Sequence, residues 1–386
     1  MRIAYVTETY PPEINGVSLT AERALRHLRS AGHAVQLVRP RQHGEAPRDD
    51  AAEWRTAGAP IPMYPALRFG LAWPGELRRR WRRDAPDLVH VATPGPLAWA
   101  ALHAARAQGV ATSADFRTNF HAYSRHYGLG WLEPVLLAYL RALHAMADCS
   151  FVPTHEMADA LSAHGFARPH VIGRGVDAQL FSPSRRDRAL RARWGACEDD
   201  PVLLHVGRLA PEKNVELALA CFERLREAQP ALRMVVVGDG PLRAALAAAH
   251  PQVLFAGPQY GVELARHYAS ADMFLFPSLT DTFGNVVAEA LASGLACAAF
   301  DTAAAHALVC SGRSGWLAKP GDEAGFLAAA QHALADAAPG SALRQHARRV
   351  GQRTDWYTPL QLFEQHLHKT VRQAMSRGLG QHAALV

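Results

Sequence analysis

The sequence predicts an α/β protein built on doubly wound parallel sheets in two domains. Three observations carry this. Short apolar runs alternate with helix-period patterns along all 386 residues, which is the pattern of strand–helix–strand units. The runs are continuous rather than alternating, as in Ile3-Ala4-Tyr5-Val6 and Met273-Phe274-Leu275-Phe276, and strands covered on both faces read that way. A polar, Arg-rich stretch over 175–200 contains Pro183 and is followed at once by a new strand pattern, so the domain boundary is placed there.

In the first half the strand patterns fall at 2–7, 34–38, 88–91, 111–115, 150–153 and 170–172, with helical patterns at 19–31 and 97–108 between them. In the second half they fall at 202–206, 233–237, 253–255, 273–276, 296–299 and 315–318, with helical patterns at 215–228 and 242–249. A last helical pattern runs from 360 to about 375. Two Rossmann-like halves, 1–178 and 179–359, are expected to face a cleft, because open parallel sheets bind ligands at the carboxyl ends of their strands.

Composition narrows the class. Hydrophobic residues make up 49% of the chain, which argues against disorder. No apolar run approaches the roughly 20 residues that cross a bilayer, and the chain enters a strand pattern at Arg2 without a signal-peptide pattern. A cytoplasmic protein is expected. The five cysteines, Cys149, Cys197, Cys221, Cys297 and Cys310, lack metal-ligand spacing and read as reduced thiols. The net charge of +6 suits anionic small molecules, acidic lipid surfaces or nucleic acid without choosing among them.

The most informative segment is Thr280-Asp281-Thr282-Phe283-Gly284-Asn285-Val286-Val287-Ala288-Glu289, which leads into Ala290-Leu291-Ala292-Ser293-Gly294. Gly284 permits a tight turn, and 286–293 reads as one buried helix. The first N–H groups of such a helix lack intrahelical partners and favour an anion. Asp281 and Glu289 add acceptors on either side, the combination that a nucleotide sugar needs. Arg208 follows the 202–206 strand and Lys213 opens the next helix. A Lys at a helix start is unfavourable unless an anion lies near it. The Asp-x-Asp metal pattern and the Gly-rich signatures of P-loop and dinucleotide-binding proteins are absent from the sequence.

The 281–289 segment resembles the Glu-(seven residues)-Glu motif of the retaining glycosyltransferases of family 4, which have the GT-B fold; Asp281 stands where that family's first Glu stands. Val206-Gly207-Arg208-Leu209-Ala210-Pro211-Glu212-Lys213-Asn214 resembles the family's diphosphate segment, and Val237-Gly238-Asp239-Gly240-Pro241 its Gly-Asp-Gly-Pro turn. The 271–278 strand is similar as well. The first half matches more loosely, through 10–17 and 116–120. The resemblance implies transfer of a hexose from a UDP- or GDP-sugar to a hydroxyl, with retention and without a metal or other cofactor. Arg208 and Lys213 would hold the diphosphate. Phe283, Gly284, Asn285 and Val286 would offer backbone N–H groups, Glu289 would grip the ribose, and Asp281 would reach the sugar. Gly16 would let the backbone approach the donor phosphate, although an ordinary turn glycine also fits there. Arg117 stands where relatives carry a His that points at the reacting sugar, and His121 is a second candidate for that place. The helix from 360 onward would return to the first domain.

Within the family, the Thr-Asp-Thr-Phe-Gly-Asn form looks most like the branch that makes mannosyl, glucuronosyl or sulfoquinovosyl lipids. That implies a lipid acceptor, an anionic membrane surface as partner, peripheral attachment, and no nucleic acid. Polysaccharide and polyprenyl-linked glycan are rival acceptors. A sugar-nucleotide epimerase and a catalytically silent nucleotide-sugar-binding protein are rival functions. Arg78-Arg79-Arg80-Trp81-Arg82-Arg83 reads either as a membrane-binding face anchored by Trp81 or as a solvated helix face.

Overall fold

The structure, a computed structural model, describes residues 1–13, 15–61, 64–117 and 133–383. Among these, residues 1–117, 133–173 and 358–383 form one compact unit and 174–357 a second.

The first unit carries β1 (Arg2–Val6), β2 (Ala34–Pro40), β3 (Glu53–Ile61), β4 (Tyr64–Leu71), β5 (Leu88–Val91), β6 (Ala111–Asp115), β7 (Cys149–Val152) and β8 (His170–Val171) in the order β4-β3-β2-β1-β5-β6-β7-β8. All neighbours pair in parallel except β3 and β4, which form an antiparallel hairpin. That hairpin has no counterpart in the sequence reading. Its strands, EWRTAGAPI and YPALRFGL, are broken by Gly and Pro, which an edge tolerates and a sheet centre does not.

The helix Gly16–Ser30 starts three residues earlier than its apolar period suggests, because Asn15 caps it. The Asn15 side chain accepts from the Val17 and Ser18 amides, and Ser18 returns a bond to the Asn15 amide. The last helix, Tyr357–Ala383, lays Phe363, Leu367 and Val371 against Ile3, Leu25, Leu28 and Val35 of the first unit's core.

The second unit carries β9 (Val202–Val206), β10 (Arg233–Val237), β11 (Leu254–Gly257), β12 (Met273–Phe276), β13 (Ala296–Phe300) and β14 (Trp316–Ala318), all parallel, in the order β11-β10-β9-β12-β13-β14. β9, β12 and β13 are buried along their whole length, as the continuous apolar runs require. Part of the Arg-rich stretch is interior rather than solvated. Arg191, Arg186 and Arg344 converge on Asp272 at 3.0, 3.0 and 3.1 Å, and Arg191 also donates to the Ser270 carbonyl at 2.7 Å.

The basic helix Pro74–Arg83 corrects one expectation. Leu77 and Trp81, one turn apart, face the core, and Trp81 is 2% exposed, so it cannot anchor a surface. Arg78, Arg79, Arg82 and Arg83 are exposed. The exposed aromatic is instead Trp73, at the helix N-cap, with Leu71 just before it. Arg80 pairs with Asp49 and lies over the Trp54 ring. Among the described residues no helix is long and apolar enough to cross a membrane.

Candidate active site

The strand order of the second, all-parallel sheet reverses between β9 and β12. Strands β9, β10 and β11 run outward on one side, and β12, β13 and β14 on the other. Loops leaving the carboxyl ends of β9 and β12 therefore diverge and open a crevice, the usual ligand position in such sheets. Arg208 and Lys213 leave β9, and Asp281 through Val286 leave β12.

The loop after β9 is braced from below. Leu209 N donates to Asp239 O at 2.9 Å, Leu242 N to Leu209 O at 3.0 Å, and Gly207 N to Val237 O at 3.0 Å. The approach is close enough to demand glycine. A Cβ on Gly238 would sit 1.9 Å from the Gly207 carbonyl oxygen, and one on Gly240 2.3 Å from that of Leu209. The Gly-Asp-Gly-Pro turn thus shapes the loop that carries Arg208, and Arg208 itself is exposed at the strand end.

Lys213 closes the short turn Pro211–Lys213, and Asn214 then takes a left-handed conformation before the helix Val215–Ala228. The loop after β12 is tied to this turn by Leu279 N, which donates to Glu212 O at 3.0 Å. That tie brings Lys213 and Asp281 face to face. Lys213 Nζ donates to Asp281 Oδ1 at 2.6 Å, with both side chains about seven-eighths covered. Nζ also lies 5.9 Å from the Phe276 ring centroid. Asp281 Oδ2 is buried with no hydrogen-bond partner among the described residues, and a buried acceptor without a donor is costly unless a ligand supplies one.

Gly284, left-handed at φ 89°, is the N-cap of the helix Asn285–Ala292 and provides no side-chain cap. Its missing side chain leaves room beside Phe276 and Asp281, 3.5 and 3.7 Å from where a Cβ would stand. Phe283 is buried, and Asn285, Val286 and Glu289 are half-buried. Glu289 lies beside Tyr268. Burial, and after it the Glu289 carboxylate, push the Tyr268 phenol well above its ordinary pKa.

His205 belongs to this neighbourhood and was missed in the sequence, where its one signal is a polar residue inside the apolar run Val202-Leu203-Leu204-His205-Val206. It is fully buried, and its Nδ1 donates to the Leu275 carbonyl at 3.0 Å. Burial pushes its pKa down to about 4. The Leu275 bond and Asp281 oppose that shift, while Lys213 reinforces it. The ring is therefore neutral, with Nε2 a bare acceptor that has no partner among the described residues.

In the first unit, Gly16 is the first residue of its helix. Arg117 is 5% exposed. Its guanidinium pairs with Asp115 and donates to the Tyr5 hydroxyl at 3.3 Å, and Nη1 has no partner among the described residues. His121 lies outside the described residues. Glu8, at the end of β1, accepts from Leu97 N at 3.1 Å, and burial raises its pKa to about 8. All five cysteines are free.

Two family models match the chain, one described as Glycosyltransferase Family 4 over residues 14–180 and one as Glycosyl transferases group 1 over residues 200–336. A GDP-mannose-dependent alpha-mannosyltransferase of Mycobacterium tuberculosis is 38% identical over 329 residues, which cover 83% of this chain and 85% of that protein. An alpha-monoglucosyldiacylglycerol synthase of Streptococcus pneumoniae is 26% identical over 310 residues, 76% of this chain and 70% of the relative. Among solved structures, sucrose-phosphate synthase from Thermosynechococcus elongatus superposes with a TM-score of 0.79 at 18% identity, covering 95% of this chain and 98% of that one. With two parallel-sheet domains and this kinship over most of its length, the chain belongs to glycosyltransferase family 4 and has the GT-B fold.

Proposed function

We propose that this glycosyltransferase moves mannose from GDP-mannose to a hydroxyl of a membrane lipid, with retention at the anomeric carbon. The observation that carries the donor reading is the Lys213–Asp281 pair at the sheet's reversal point, with Asp281 Oδ2 unpartnered in front of an uncapped helix end. The relative named for GDP-mannose supports the choice of base and sugar. Mannose is α-linked in that donor, so an α-mannoside product means retention.

On this reading the diphosphate lies against the N–H groups of Asn285 and Val286, with Arg208 and Lys213 as its cations. Charge builds on the leaving diphosphate as the sugar bond breaks, and fixed donors already in place stabilise it. Lys213 bridges the phosphate and Asp281. Asp281 Oδ2 accepts from a sugar hydroxyl, and Glu289 accepts from the ribose. The departing phosphate takes the acceptor's proton on the face it leaves, so no protein nucleophile is required and the enzyme works by positioning and charge stabilisation.

The lipid acceptor is supported by the relative named as a diacylglycerol-glucosylating synthase. It is also supported by the exposed Trp73 and Leu71 beside Arg78, Arg79, Arg82 and Arg83, since an aromatic next to arginines suits an anionic interface. Thermal denaturation with GDP-mannose, UDP-glucose and their free nucleotides tests the donor. A ligand at 100 times its dissociation constant adds about 2.7 kcal/mol. Stabilisation by the GDP compounds at concentrations where the UDP compounds do nothing supports the reading, and the opposite order overturns it.

A further inference from the structure

The first unit holds a cluster of side chains for which nucleotide-sugar transfer has no use. Glu364 and His368 stand one turn apart on the last helix, His27 lies on the Gly16–Ser30 helix, and His33 lies between that helix and β2. Glu364 Oε1 is 3.0 Å from His33 Nε2 and 3.7 Å from His368 Nε2, while Glu364 Oε2 is 2.8 Å from His27 Nε2. One donor atom each from His33, Glu364 and His368 falls within 4.8 Å of the other two. Among the described residues, the ion-pair partners of Glu364 are these three imidazoles and no Lys or Arg. Its side chain is only 20% exposed. A covered carboxylate needs a positive partner, and imidazoles meet that need in two ways, by taking protons or by sharing a cation with it.

We propose that His33, Glu364 and His368 form a binding site for a divalent transition-metal ion of the zinc type, which fastens the last helix to the first unit. Two imidazoles and one carboxylate are a donor set such ions take. Tetrahedral coordination with bonds of about 2.0–2.1 Å places neighbouring donors about 3.3 Å apart, between the 3.0 and 3.7 Å seen here. His27 acts as a positioning residue. It holds the second carboxylate oxygen and so fixes the plane in which Oε1 faces the ion. Phe363 and Leu367, beside Glu364 and His368 on the same helix, are packed in the first unit's core, so those two ligands sit on an anchored helix. The ion would join the helix to the segment between the first helix and β2. The donor-site residues Lys213, Asp281 and Glu289 lie in the other unit, and the proposal does not rest on the donor reading.

The test uses the full chain without a histidine tag, stripped with chelator and titrated with Zn²⁺ by calorimetry, with X-ray absorption on the loaded protein. Wild type should bind one Zn²⁺ per chain, with nitrogen and oxygen neighbours at about 2.0–2.1 Å. His368→Ala and Glu364→Gln should each weaken binding at least tenfold, and His27→Ala by about 10- to 100-fold. His366→Ala serves as the control. That ring lies on the same helix but faces His170 at 4.2 Å, and the change should leave Zn²⁺ affinity unaltered. Circular dichroism and thermal melting check that each variant is folded. Absence of stoichiometric binding in wild type, equal affinity in His368→Ala and Glu364→Gln, or an equal loss in His366→Ala would each overturn the site.

Discussion

Lys213 Nζ and Asp281 Oδ1 lie 2.6 Å apart although 68 residues separate them in the chain. The pair joins the loops after β9 and β12 and leaves one oxygen of Asp281 without a partner among the described residues. Removing either member strands the other in a largely covered position. Lys213→Ala and Asp281→Ala should each cost about 1–3 kcal/mol of stability. The double variant should lose less than the sum, because no charge is then left uncompensated. Turnover should fall by about 100- to 1000-fold in Lys213→Ala and should not recover in the double variant. Strictly additive stability losses in thermal denaturation would show that the pair is not coupled.

Arg208 provides the contrast. It is exposed at the strand end, so Arg208→Ala should cost less stability than Lys213→Ala, while turnover falls by about 100-fold. Kinetics and melting curves on one preparation separate the two effects. Near-normal turnover would remove Arg208 from the diphosphate site.

On the proposed reading, Glu289 and Asp281 divide the donor between them. Glu289→Ala should mainly weaken donor binding, seen as a raised dissociation constant in calorimetry. Asp281→Ala should mainly lower kcat, since its free oxygen is assigned to the sugar. The reverse order would exchange the two assignments.

His205 gives a pH signature. The folded ring titrates near 4, against an ordinary value of 6.5, so between these values the unfolded chain binds more protons than the folded one. Stability from this group is complete above about 6.5 and is lost as pH falls toward about 4. His205→Phe lacks the titration, so the stability of wild type relative to the variant should decline across that window. A constant difference from pH 7 to 4 would mean the ring is not buried neutral.

Replacing Arg78, Arg79, Arg82 and Arg83 with Gln and Trp73 with Ser should abolish sedimentation with anionic vesicles and leave donor binding intact. Each Arg near an anionic surface contributes about 1 kcal/mol, screened over about 8 Å at physiological salt, so wild-type binding should weaken as salt rises. Arg80 is left in place because it pairs with Asp49. Unchanged sedimentation of the variant would make this helix a solvated face only.

Much of the fold was legible because most central strands are buried on both faces and so read as continuous apolar runs. The helix Val215–Ala228 appears in the sequence with the bounds the structure gives it. The β3–β4 hairpin was not legible, since an edge tolerates the Pro and Gly that hide a strand. Trp81 was read as a candidate surface anchor because a run of arginines conceals the period that buries it with Leu77, and the exposed Trp73 carried no signal in the sequence reading. In the candidate donor site, Lys213, Asp281 and Glu289 could be named from the resemblance to family 4. The contact between Lys213 and Asp281 could not, because it depends on the Leu279–Glu212 tie between distant loops. The bare nitrogen of His205 likewise follows from the carbonyl of Leu275 on the neighbouring strand.

The proposed reaction is retaining transfer of mannose from GDP-mannose to a lipid hydroxyl. The most direct measurement incubates the purified enzyme with isotopically labelled GDP-mannose and vesicles of bacterial membrane lipid. The organic-extractable product is then analysed for sugar identity and anomeric configuration by NMR. An α-mannosyl lipid is expected, formed at a rate that drops sharply in Lys213→Ala. A β-linked product, transfer only from a UDP-sugar, or label that reaches water and never lipid would contradict it.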